Sequence, residues 1–206
     1  MKKLVLLVLV LAFAGHPAVA EELKTYKLTI GDQTIDLDAG ETEEFTLPNG
    51  EKTTVSISRN EFSTFKGDKF AFVYPGNMTV AMSQLGENIA QYFISSALGS
   101  MVIVQEYTSM DPSMLAPLML QQLTKESIQA GATLEQKPTT RQLKQGESLS
   151  GILATVKSKS ESVDYEIVTY GKDSEGLIAI TRIDQNNRDE DGKIIDRFWD
   201  SLTIKE

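Results

Sequence analysis

Along most of this chain apolar and polar residues alternate, and the alternation gives way to helical spacing in only two places. The densest signal is Lys69–Val80, KFAFVYPGNMTV, where Phe70, Phe72 and Tyr74 alternate with Lys69, Ala71 and Val73 before Pro75-Gly76. Period-two alternation closed by Pro-Gly predicts a strand and a turn, and the apolar run from Met78 to Met82 predicts a second strand after it. Upstream, Tyr26, Leu28 and Ile30 alternate up to Gly31-Asp32, and Phe45 and Leu47 lead into Pro48-Asn49-Gly50. Asn-Gly favours a tight hairpin turn, so residues 21–60 read as two small β-hairpins. Downstream, strands are predicted at Tyr92–Ile94, Met101–Tyr107, Leu149–Lys159, Val163–Tyr170 and Leu177–Ile183. Thr133–Leu143 is polar and interrupted by Pro138, which predicts an edge strand, since proline has no N–H for a ladder. A tight loop at Ser160–Ser162 would set Lys157 opposite Asp164.

Helical spacing appears first at Ser113–Ala130, with Ala116, Met119, Leu120, Leu123 and Ile128 along one side. Asp111 or Ser113 can accept from its first-turn amides, Pro117 is tolerable near its start, and Gly131 suits the residue just past its end. The second helix follows a polar loop, Asp184–Gly192, and carries Ile194, Ile195, Phe198, Trp199 and Leu202 as an apolar stripe before a short last strand. Mostly antiparallel strands with a helix midway and another at the end predict an α+β fold in which an antiparallel β-sheet is covered by helices. A main domain over residues 61–206 follows an N-terminal double β-hairpin extension over residues 21–60.

Residues 1–20 stand outside this pattern. Lys2-Lys3, the apolar run Leu4–Ala14 and the small-residue end Ala18-Val19-Ala20 read as a secretory signal peptide cut between Ala20 and Glu21. The expected destination is the periplasm or the medium, as a soluble protein with no membrane span. Removing Lys2 and Lys3 from 20 basic residues leaves 18 against 29 acidic ones, a formal charge of −11. Such a surface repels phosphate backbones, so nucleic acid is not an expected partner.

Composition narrows the chemistry. The single histidine, His16, lies in the signal peptide, and the chain has no cysteine. Without thiol or imidazole, Ser-His-Asp and Cys-His catalysis, zinc sites, haem and iron–sulfur ligation drop out of the expected chemistries, and no cofactor is expected. Ser63-Thr64-Phe65-Lys66 spells the S-x-x-K of serine β-lactamases, but that chemistry needs a helical turn between serine and lysine, and the tetrad lies in strand signal. Asn187, Asp189, Asp191 and Gly192 spell the opening of a calcium loop, but Phe198 stands where a bidentate glutamate is required. Asn187, Asp189 and Asp191 are weak metal candidates, and no catalytic residue is assigned. Asp164 and Glu166 share one strand face, with surface solvation the simpler account. Tyr92, Phe93, Tyr107 and Trp199 could line a groove, Trp199 more often being core.

The region from Phe62 to Glu206 resembles the PsbP-like superfamily, which includes a lumenal photosystem II subunit, a eukaryotic Ran-binding import factor and bacterial DcrB-type exported proteins. The resemblance rests on Phe70-Ala71-Phe72-Val73-Tyr74-Pro75, the Val102–Tyr107 strand and Ser113–Ala130 helix after it, and the ending Ile194–Leu202. These are packing motifs. They imply a fold and a role in binding other proteins, with no active site; the metal-linked histidines of photosynthetic members have no counterparts here. The expected function is thus a non-enzymatic exported domain that binds a protein or envelope component. A carboxylate-based hydrolase or small-ligand binder near Tyr92, Tyr107 and Asp164, and a calcium-stabilised domain, stay open as alternatives.

Overall fold

A computed structural model describes residues 24–205. The signal-peptide reading of residues 1–20, with its cut before Glu21, lies outside the described residues. The chain divides between Ser58 and Arg59 into two compact units.

The N-terminal unit is two antiparallel hairpins, β1 (Tyr26–Ile30) with β2 (Gln33–Leu37) and β3 (Thr42–Thr46) with β4 (Lys52–Ser56). Gly31 and Gly50 turn the two with positive φ. Leu37 and Phe45 are its buried side chains. Glu41 ties the segment between them by accepting from the Lys24 ammonium at 2.6 Å and the Asp38 N–H at 2.7 Å.

In the second unit, β5 (Phe62–Lys66) pairs with β6 (Phe70–Pro75). β7 (Ala81–Gly86), β8 (Ile89–Ser95) and β9 (Met101–Tyr107) form an antiparallel meander. Helix α1 (Ala116–Gln129) then crosses to the far edge of the same sheet. There β10 (Thr133–Gln142), β11 (Ser148–Lys157), β12 (Ser162–Lys172) and β13 (Glu175–Asp184) return strand by strand until β13 lies beside β9. Helix α2 (Arg188–Ser201) and β14 (Thr203–Ile204) close the chain. The sheets run β10-β11-β12-β13-β9-β8-β7 and β14-β6-β5.

The expected antiparallel sheet covered by helices is corrected here. Among the described residues there are fourteen strands and two α-helices, the second preceded by a 3-10 turn at Gln185–Asn187, and the architecture is a β-rich sandwich. The cause is β6. Its Phe70 and Phe72 do not join the large sheet but sit in a second one, which packs with α2 against one face of the first. That layer joins Phe70, Phe72, Ile195, Phe198, Trp199 and Leu202 to Val102, Val104, Val168, Leu177 and Ala179. On the opposite face α1 covers Ile103, Tyr107, Ala154, Val156, Ile167, Ile178 and Ile180. Alternate residues of β9, β12 and β13 thus serve different layers, which is why these central strands read as nearly continuous apolar runs.

The strand–turn–strand expected at Lys69–Met82 also differs. β6 and β7 belong to different sheets, and Met82 is exposed. Pro75 and Gly76 end one sheet rather than fold a hairpin. Helix α1 begins at Ala116 rather than Ser113, because Pro117 fits its first turn, where no partner for the missing N–H is needed. Asp111 accepts from the Ser113 N–H at 2.9 Å in a turn before the helix and does not cap it. The predicted stop holds: Gly131 has φ +93°, its N–H donates to the Ile128 carbonyl, and the Ala132 N–H reaches the Ser127 carbonyl, a Schellman closure. The β11–β12 register sets Thr155, not Lys157, opposite Asp164. Lys157 pairs with Glu135 of β10 instead, at 2.9 Å. Pro138 lies in the edge strand, as its missing donor requires.

A Cβ built on Gly151 would lie 1.9 Å from the Ile167 carbonyl oxygen and 2.7 Å from the Val168 Cα, so β11 approaches β12 there more closely than any side chain allows. Gly151→Ala forces backbone apart in the middle of the sheet and should lower unfolding free energy by about 3 kcal/mol. Urea denaturation of the variant, with an unchanged slope, is the check.

Candidate functional site

The site is the part of the large sheet that the second sheet leaves uncovered. Between α2 and strands β10–β12 lies a cleft of about 480 Å³. The strand register builds its wall in two rows, Lys137–Leu153–Glu166 and Glu135–Thr155–Asp164, all on the face that carries Trp199. Leu153, Ile183, Ile195 and Trp199 supply apolar surface, and Arg141, Arg188 and Asp196 complete the polar lining.

Trp199 orders this wall. It is buried against Phe198, with ring centroids 4.7 Å apart, and the Arg141 guanidinium lies over its ring, 4.5 Å from the centroid. From there Arg141 donates to both carboxylate oxygens of Glu166, Nε at 2.7 Å and NH2 at 2.6 Å. This fork is held between an indole face and a carboxylate only one-tenth exposed, which fixes its plane. The second carboxylate is engaged from three sides. Asp164 accepts from the Thr155 hydroxyl at 2.8 Å, the Gln185 amide at 3.0 Å and Arg188 at 2.9 Å. Lys137, exposed on the edge strand, makes no ion pair among the described residues.

The sequence brought Asp164, Glu166 and Trp199 forward separately, and the structure places all three in one cleft. It does not assemble Tyr92, Phe93, Tyr107 and Trp199. Tyr92 belongs to the layer shared with α2 and Tyr107 to the layer under α1, on opposite faces of the sheet. The roles of Arg141 and Lys137 were missed. The alternation Glu135, Lys137, Thr139, Arg141 puts them on one strand face and is readable, but the partners on α2 and β12 are not.

Asn187, Asp189 and Asp191 lie at the start of α2 rather than in a loop. Asn187 precedes the first turn, and Asp189 and Asp191 lie within it. Residues two apart on a helix project about 200° from one another, so Asp189 points away from the side that Asn187 and Asp191 share, and the three do not converge on one point. Their observed work is local: the Asn187 amide donates to the Leu98 carbonyl at 3.0 Å, and the buried Asp191 carboxylate accepts from the Ser96 hydroxyl. Together they hold the β8–β9 turn. Exposed Asp189 favours the helix N-terminus through its charge. Ser63 and Lys66, three apart on the extended strand β5, point to opposite sides of it.

One more buried carboxylate stands apart from the cleft. Glu106 accepts from the Lys69 N–H at 2.7 Å and the Tyr92 hydroxyl at 3.3 Å. Burial pushes its carboxyl above the ordinary glutamate range, Asp68 adds to this, and the Lys69 N–H, Tyr92 and the Lys69 charge pull the other way.

The solution structure of cyanobacterial PsbP (CyanoP) from Synechocystis sp. PCC 6803 is similar to this chain, with a TM-score of 0.49 and 10% identity over 70% of this chain and 93% of that one. A crystal structure from Bacteroides thetaiotaomicron VPI-5482 at 1.50 Å gives a TM-score of 0.34 and 10% identity, over 72% of this chain and 49% of that one. No family model and no curated protein matches the sequence. No helix among the described residues is long and apolar enough to cross a membrane.

Two outcomes are expected. Arg141→Ala leaves Glu166 largely buried without its fork and should cost about 2 kcal/mol, less than for a fully buried pair because Arg141 is one-third exposed. Arg141→Lys, which keeps charge but loses the planar contact with Trp199, should recover only part of this; chemical denaturation of both variants decides. For Glu106, the native state keeps its proton to higher pH than the unfolded chain. Stability from this group is therefore complete below the unfolded value and is lost as pH rises through the raised folded value. Glu106→Gln should leave melting unchanged in mild acid and raise the melting temperature above wild type in mild base.

Proposed function

We propose that this chain is an exported, non-enzymatic binding domain of the PsbP-like, DcrB-type kind, and that it engages a protein or envelope component through the cleft between α2 and β10–β12. The observation that carries the reading is how the cleft carboxylates are used. Both oxygens of Glu166 are taken by Arg141, and Asp164 is held by Thr155, Gln185 and Arg188. Carboxylates so engaged build a rigid wall for recognition and are poorly placed to attack a substrate or shuttle its protons. The absence of thiol and, past residue 16, of imidazole supports the same reading.

Lys137 is the cation of the wall that no carboxylate engages among the described residues. Beside it, Trp199 and Leu153 offer apolar contact, and Arg141 and Arg188 keep N–H groups that their carboxylates do not use. An anionic or hydrogen-bond-accepting group with an apolar neighbour suits this combination. A small-ligand reading is favoured by one observation: the volume of about 480 Å³ falls within the range of about 300–1,000 Å³ usual for small-molecule sites.

A photo-crosslinking amino acid placed at Lys137 in cells should capture one saturable adduct in the envelope. The same group at Leu118, on the exposed side of α1, should not capture that adduct. Equal capture from both positions, or none from Lys137, would overturn the proposal. A small molecule retained by the native protein in mass spectrometry, and lost in Trp199→Ala, would decide for the second reading.

A further inference from the structure

The two edges of the seven-stranded sheet are built differently. β10 closes one edge with Glu135, Lys137 and Arg141 along its length and Pro138 in its middle, a combination of charge and missing donor that discourages any further strand. β7 closes the other with Ala81-Met82-Ser83-Gln84-Leu85-Gly86, which has neither a charge nor a proline. Every residue of β7 is exposed, with Met82 at 64% and Leu85 at 53%. Among the described residues β7 pairs with β8 alone, so alternate N–H and C=O groups on its outer side have no strand partner. Its one irregularity, a register shift between Gln84 and Gly86, falls at the end of the strand and leaves Ala81–Gln84 regular.

The charge pattern around this edge is as unusual. From Phe70 to Gln105 the only charged residue is Glu87, in a chain with a formal charge of −9. β7 and β8 together form a neutral window on a strongly acidic protein. Two acidic molecules repel across most of their surfaces, and they approach at least cost where neither carries charge. An antiparallel strand can pair with its own copy about a twofold axis, and a neutral strand does so without setting like charges opposite one another.

We propose that β7 is the interface between two copies of this chain, joined edge to edge so that their seven-stranded sheets become one continuous sheet across a twofold axis. Main-chain hydrogen bonds supply the pairing, and Met82 of each copy is covered at the junction. The proposal is independent of the cleft, whose charged edge strand lies at the opposite end of the sheet.

The chain has no cysteine, so a single introduced one reports unambiguously. Cysteines placed singly at Ala81, Met82, Ser83 and Gln84, and at Thr140 on β10 as control, are oxidised with copper–phenanthroline in the purified protein. Disulfide-linked dimer should form at one or more β7 positions and not at Thr140, since bonding requires Cα atoms within about 7 Å. Sedimentation equilibrium should give twice the chain mass for wild type. Met82→Lys/Gln84→Lys, which puts cations at the junction on two exposed side chains, should weaken dimerisation at least tenfold while the circular dichroism spectrum is unchanged. A wild-type monomer at all concentrations overturns the proposal. So does a dimer that links at Thr140, a dimer insensitive to the double substitution, or a β7 edge that captures only an added extended peptide.

Discussion

The structure depends on one aromatic layer between its two sheets. Phe65, Phe70, Phe72 and Tyr92 form one cluster with neighbouring ring centroids 4.9–6.0 Å apart, and Phe72 meets Phe198 edge-on at 5.2 Å. Each such pair contributes about 0.5–1.5 kcal/mol beyond its burial, whereas an exposed ion pair contributes about 0–1 kcal/mol. The layer therefore outweighs the salt bridges scattered over the surface. It also positions the rest: Phe198 fixes the rotation of α2, α2 places Trp199, Trp199 supports Arg141, and Arg141 holds Glu166. The wall of the cleft is a consequence of how the sandwich is filled.

The backbone of the second sheet shows how that filling is kept wet-proof. β14 covers only two residues of β6, Phe70 and Ala71, so the Val73 N–H would be left without a strand partner. The Ser201 hydroxyl, from the last turn of α2, accepts from it at 2.8 Å. A serine at that place lets a very short strand end without an orphaned donor. The same economy appears at the other end of α2, where Asn187 and Asp191 satisfy the β8–β9 turn. Residues that spell the start of a calcium loop act here as the clasp between a helix and a turn. Three oxygen-bearing residues at alternate positions mean a loop site only if the backbone is a loop, and here α2 begins at Arg188, among them.

Much of the fold was legible. The hairpins, the central strands, the edge position marked by Pro138, the Gly131 stop and the apolar stripe of α2 all follow from local periodicity and from residues with one permitted backbone geometry. What misled was partition. Lys69–Met82 reads as one strand–turn–strand unit because apolar alternation resumes after Pro75-Gly76, yet β6 and β7 end in different sheets. The letters record that each strand has a buried or half-buried side, not which sheet receives it. The count of helices and strands was likewise readable, while their arrangement as a sandwich was not. Of the cleft, the shared strand face of Asp164 and Glu166 was visible, and the tyrosine groove was an error of face: Tyr92 and Tyr107 lie on adjacent strands but point into opposite layers.

By itself, then, the sequence determined most of the elements, the Gly131 stop of α1, the absence of thiol and imidazole chemistry past residue 16, and the single charge, Glu87, in the stretch from Phe70 to Gln105. Those properties are local, set by composition, by period and by the steric limits of glycine and proline. Only the tertiary structure decided that β6 leaves the large sheet, that β10 and β7 form its two edges, and that Arg141 meets both Trp199 and Glu166. Such pairings depend on contacts between residues far apart in the chain. They are settled by which layers can fill without voids, and no window of sequence contains that information.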